Sequence, residues 1–132
     1  MKTLLTCSPT EFLAQAVRLR EPLCAWAEKT GFDEIRSRRP EGFDGMSEAG
    51  KAQALKEQSA LNLGEMFDAA MRRDPEGTLK VLAISCFTDP DRIDARPMRD
   101  YLAAFFDMLA DDTVRGFFLC YARSGRGNSS AR

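Results

Sequence analysis

The chain has 132 residues, 44% hydrophobic and 30% charged, which are the proportions of a globular domain with one core. Nineteen Lys and Arg against twenty Asp and Glu leave a formal net charge of -1. That balance argues against a dedicated nucleic-acid binder, which needs a basic face, and the absence of histidine removes the commonest general base and every histidine-ligated zinc site.

Met1 to Cys7 is apolar over too short a run for an export signal, whose core spans about 7–15 residues. Ser8-Pro9-Thr10-Glu11 then starts a helix. Ser8 caps the free amides, Pro9 suits the first helical position, and Glu11 completes a capping box. Phe12, Ala16, Leu19, Leu23 and Trp26 recur at steps of four and three and trace one stripe. The stripe keeps phase across Pro22, so one kinked helix over Pro9–Lys29 is expected, stopped by Gly31.

Phe32 to Arg39 reads as a short helix or turn, and Pro40 to Gly45 as a loop. Arg36-Ser37-Arg38-Arg39 is the chain's basic concentration. It suits a phosphate or an acidic partner, but Asp33, Glu34, Glu41 and Asp44 flank it and make a solvated, neutralised surface the expectation. Ser47 caps a long helix to about Arg73, polar at first and then amphipathic through Leu63, Met66, Phe67, Ala70 and Met71. Asp74-Pro75-Glu76 restarts the chain. Thr78–Phe87 is apolar almost all round and too short to cross a bilayer, which takes about 20 residues. It is expected as a buried central helix.

Asp89-Pro90-Asp91 ends that helix, and Arg96-Pro97-Met98 opens the next. Leu102, Phe105, Phe106 and Leu109 form its expected inward stripe. Asp111 or Asp112 caps a last helix, with Val114, Phe117, Phe118 and Tyr121 on one face. The fold class is all-α: a single-domain bundle of about five to six helices over residues 1–124, with a flexible tail at 125–132.

The chemistry is mostly negative. No Gly-rich phosphate loop is present. Asp89, Asp91 and Asp94 superficially match the start of a calcium loop, but Pro90, Ile93, Ala95 and Pro97 break the pattern, and capping accounts for the acids. Cys7, Cys24, Cys86 and Cys120 are scattered, with no Cys-x-x-Cys pair, and read as free thiols in a reducing cytoplasm. Gly125-Arg126-Gly127 is a single copy of an RNA-binding fragment. No catalytic, cofactor or metal residue emerges, and an enzyme is not expected.

The stretch Met1 to Leu13, the run Pro75-Glu76-Gly77-Thr78-Leu79 leading to Cys86-Phe87, and Pro97 to Phe105 together resemble small prophage-encoded proteins. These are grouped with the tail assembly chaperones of long-tailed, siphovirus-type bacteriophages. The similarity covers both ends and most of the C-terminal half; Ser37–Gln58 contributes little. The resemblance implies a non-enzymatic helical protein of the host cytoplasm, absent from the mature virion. It would keep the tape-measure protein soluble until tail-tube subunits polymerise around it. It also implies no cofactor, and a longer frameshifted form in many members.

The residues leave a second class open, a small cytoplasmic helical adaptor or regulator that binds another protein or DNA. The expected partners are the tape-measure protein, the tail-tube protein or a second copy, without a membrane or nucleic acid. Nine Phe, six Met, two Tyr and one Trp supply much apolar surface, and such residues are enriched at interfaces. Tyr101 and Met108 fall toward the edge of one expected inward stripe, Leu119 falls off the other, and Tyr121 lies at that second stripe's end. A partly exposed groove built from them, receiving an apolar helical stripe, is the candidate protein-binding site.

Overall fold

The computed structural model describes residues 1–130, with side chains as far as Tyr121. The fold is all-α, with no strand among the described residues. In chain order come α1 (Pro9–Thr30), α2 (Phe32–Arg36), α3 (Glu48–Arg73), α4 (Pro75–Ser85), α5 (Met98–Ala110) and α6 (Asp112–Ser130). A 3-10 turn lies at Phe43–Gly45, and a 3-10 segment kinked at Arg92 at Pro90–Ala95. α6 runs to Ser130, into the span expected as a tail; residues 131 and 132 lie outside the described residues. The chain forms two compact units, Met1–Trp26 with Glu76–Arg132, and Ala27–Pro75.

In the first unit, α1 begins as the local rules dictate. The Ser8 hydroxyl accepts from the Glu11 amide at 3.2 Å, while the Ser8 amide donates to Glu11 Oε1 at 3.0 Å. Two amides that the helix leaves free are thereby satisfied. Pro22 lies within α1, which continues through it as one helix to Thr30. The Trp26 indole donates to Thr78 Oγ1 at 2.8 Å.

α4 is the core element. Every residue from Val81 to Cys86 is buried. Leu82, Ala83 and Cys86 form one apolar cluster with Ile93, Tyr101 and Ala104, against which Leu79 and Phe105 pack. A helix end this deep must have its last carbonyls satisfied, and each one is. The Cys86 amide donates to Leu82 O at 3.1 Å, and Thr88 N to Ala83 O at 2.9 Å. Ile84 O accepts from Phe87 N at 3.2 Å and from the buried Gln15 side chain at 2.7 Å. Ser85 O accepts from Leu4 N at 3.2 Å. The bonds from Thr88 and Phe87 make a Schellman motif. Phe87 fills its left-handed position at φ 53°, a place usually given to Gly.

α5 turns a different face inward from the one expected. Tyr101, Ala104 and Met108 are buried, whereas Leu102, Phe105 and Leu109 are half-buried and Phe106 is 43% exposed. The apolar arc of α5 spans more than half its circumference, so spacing alone does not choose the inward edge. Two features do: Tyr101 Oη finds the Ile93 carbonyl at 3.0 Å, and Ala104 is small enough to let the backbone approach.

The second unit pairs α2 with α3. Ser47 Oγ accepts from Gly50 N at 3.1 Å and caps α3. Ile35 of α2 and Asn62, Ala69 and Ala70 of α3 are buried. Asn62 donates to Arg38 O at 3.3 Å and accepts from Gln58 at 2.9 Å. Gly31, at φ 70°, ends α1 and opens α2. Arg73 Nη1 donates to Thr30 O at 3.0 Å, and a Cβ on Gly31 would meet that same nitrogen at 3.1 Å. Met71, expected on the inward face of α3, is exposed.

Candidate protein-binding surface

Of the four residues expected to form a groove, the structure moves two into the core. Tyr101 is 1% exposed and Met108 9%, so both belong to the packing of α5 and offer no surface to a partner. That corrects the expectation for this pair, and the rotated face of α5 is the reason. Leu119 and Tyr121 of α6 are half-buried.

Tyr121 belongs to an aromatic ledge along α1 and α6. The junction before α6 is well specified. Asp111 Oδ1 accepts from Val114 N at 2.9 Å, and Arg115 Nη1 donates to Leu109 O at 2.7 Å. α6 then presents Phe117, Phe118 and Tyr121 at the i, i+1, i+4 positions of one side. The Phe12 ring of α1 lies 5.6 Å from Phe117 and 5.9 Å from Phe118. Phe117 lies 5.1 Å from Phe118 and 5.4 Å from Tyr121. These separations are in the range where tilted and edge-to-face pairs are favourable. The Arg20 guanidinium stands over the Tyr121 ring, 4.5 Å from its centroid.

The ledge is not closed over. Phe117 remains 42% exposed, and Leu13 and Val17, one turn apart on α1, are each 68% exposed. Sequence reading passed over Leu13, Val17, Phe12, Arg20 and Phe117 as binding residues. The available signal was phase: Leu13 and Val17 fall off the Phe12–Ala16–Leu19 stripe, so an α1 buried on one side leaves them uncovered.

Some of the charged groups elsewhere are paired. Arg38 bonds both Glu34, at 3.2 Å, and Glu65; Arg36 is 4.0 Å from Asp33, and Arg39 sits 5.9 Å from the Phe43 ring. Arg36 and Arg38 are thus matched by carboxylates, two of them from the flanking acids Asp33 and Glu34, whereas Arg39 lies beside an aromatic ring. The Asp89 carboxylate accepts from Asp91 N at 3.0 Å, the capping role expected of it. No helix is long and apolar enough to cross a membrane among the described residues. Compared with known proteins, the chain matches no family model, no curated protein and no solved structure.

Proposed function

We propose that this protein is a non-enzymatic tail assembly chaperone that binds the phage tape-measure protein in the host cytoplasm and keeps it soluble until the tail tube forms. The observation that carries the reading is the ledge of Phe12, Phe117, Phe118 and Tyr121, with Leu13, Val17 and Phe117 left open. An apolar helical stripe laid along α1 and α6 would cover those three side chains by helix-in-groove packing. Fully burying each is worth about 1.5–3 kcal/mol. The sum is comparable to the cost of association, so one contact is weak. Many copies along a long helical partner suit that arithmetic: coverage is extensive, and each copy is released readily when tail-tube subunits arrive.

Co-expression tests the proposal. The long coiled-coil product of a neighbouring tape-measure gene should be soluble with the wild-type protein and aggregate without it, and Phe117→Asp should abolish the rescue. Failure of the wild type to rescue its neighbour would overturn the assignment.

A further inference from the structure

Among the described residues, Arg20 Nε is the buried side-chain polar atom that has no hydrogen-bond partner. The guanidinium stacks on Tyr121, 4.5 Å from the ring centroid, and makes no ion pair among the described residues. Buried donors are almost always paired, and a half-buried charge without a counter-charge destabilises the free fold. Part of the side chain stays open to solvent. An orphaned cation so placed calls for an acceptor from outside the chain.

The setting of Arg20 says what would carry that acceptor. Leu13, Val17 and Arg20 stand at i, i+4 and i+7, along one face of α1. The first two are the open apolar side chains of the ledge, so this face runs from apolar to cationic along the helix. The carboxylates that α1 and α6 carry within this unit do not serve Arg20. Glu11 bonds Lys2 and the Ser8 amide, and Asp112 bonds Arg115. Glu21 is exposed and, as the next residue, is turned about 100° round the helix from Arg20. A nucleic acid or an anionic membrane takes several cations to hold, and Arg18, the other cation on this part of α1, is turned about 160° away. One unpaired guanidinium at the end of an apolar stripe suits one carboxylate at the end of another.

We infer that the helix received by the ledge carries an Asp or Glu one turn beyond its apolar residues, and that this carboxylate pairs with Arg20. The inference rests on the ledge being the docking surface and specifies its occupant: an amphipathic helix with an acid flanking apolar residues at i and i+4.

Fluorescence anisotropy of labelled, blocked Ala-Gln-based helical peptides, titrated with the full chain, tests it. Each peptide carries Leu at i and i+4. Two acidic members place Glu at i+7 or at i−3, which covers both chain directions, and their counterparts carry Gln at the same place. One Glu peptide should bind saturably and about tenfold more tightly than its Gln counterpart, as loss of a charge-assisted bond dictates. Arg20→Met keeps the stem and removes the orphaned donor. It should abolish the Glu preference, leave the apolar binding, and unfold at a denaturant concentration no lower than the wild type. Equal affinity of the Glu and Gln peptides, or a preference that survives Arg20→Met, would overturn the inference and leave the apolar ledge standing. A lowered midpoint for Arg20→Met would also overturn it, by assigning Arg20 to the fold. No saturable binding by any of the peptides would overturn the ledge as a docking surface together with the inference.

Discussion

Tyr101 donates its hydroxyl to the carbonyl of Ile93 at 3.0 Å, eight residues upstream, and both residues are buried in the cluster around α4. The bond ties the 3-10 turn at Pro90–Ala95 to the first turn of α5 and so sets which face of α5 looks inward. Tyr101→Phe keeps the ring and removes the donor, leaving a buried carbonyl short of a partner. We expect a loss of about 1 kcal/mol in chemical denaturation, with the helical content unchanged. Tyr101→Asp places an unpaired charge in the same site and should unfold the unit.

This pair also marks how far the sequence could be read. The Ser8–Glu11 capping box, the Ser47 cap and the buried α4 follow from residues within a few positions of one another, and they were legible. The face of α5 was not, because Tyr101, Leu102, Phe105, Phe106, Met108 and Leu109 make an arc too wide for periodicity to orient. A carbonyl supplied by the preceding turn decided it. The ledge was half legible for the same reason. Tyr121 was picked out on α6, but Arg20, which stands over its ring, and Phe12, which packs on Phe117 and Phe118, belong to a helix about a hundred residues earlier, beyond the reach of any local rule.

Gly31 and Phe87 make an internal comparison of left-handed positions, at φ 70° and 53°. Gly31→Ala adds a Cβ that is strained by its backbone and is 3.1 Å from Arg73 Nη1, so a loss of about 1–2 kcal/mol is expected. At Phe87 the order reverses. Phe87→Ala loses the ring and keeps the strain, whereas Phe87→Gly loses the ring and relieves it. The Gly variant should be the more stable of the two by about 1 kcal/mol. A paired denaturant series checks both, and an Ala variant at least as stable as the Gly variant would remove the argument from strain.

Lys2 bonds Glu11 and, with the Ser8 amide, holds its carboxyl at about 2, below the ordinary 4.5. A folded-state value below the unfolded one contributes stability that is fully present above about pH 4.5 and is lost as the pH falls toward 2. Glu11→Gln should therefore lie below the wild type at neutral pH, with the gap closing through that window. The pair is exposed, so added salt should shrink the gap as well. A pH series of thermal midpoints at two salt concentrations reads both effects.

Thiol chemistry separates the ends of the first unit. Burial pushes the Cys86 thiol up to about 11, and its side chain is enclosed by the α4 cluster. Cys120 is exposed on α6. Because the thiolate is the reactive form, a neutral-pH thiol reagent should label Cys120 promptly in native protein. Cys86 should react only as fast as the unit opens, and mass mapping over time distinguishes them. Prompt labelling of Cys86 would show that α4 is not the core.

The ledge makes the last prediction, because it separates surface from core on the same helix. Leu13 and Val17 are each 68% exposed, while Ala16 and Leu19 between and beyond them are buried. Substitution at an exposed site away from caps and networks changes stability by about 0.5 kcal/mol or less. Leu13→Lys with Val17→Glu should thus leave the denaturation midpoint essentially in place. Leu19→Ala on the buried side should cost about 2–5 kcal/mol. If the ledge receives a helical partner, the first pair removes apolar area that only the complex buries, so solubilisation of that partner should fail while the free protein stays folded. A double variant that unfolds would show that Leu13 and Val17 serve the fold. One that stays folded and still solubilises the partner would place the binding surface elsewhere.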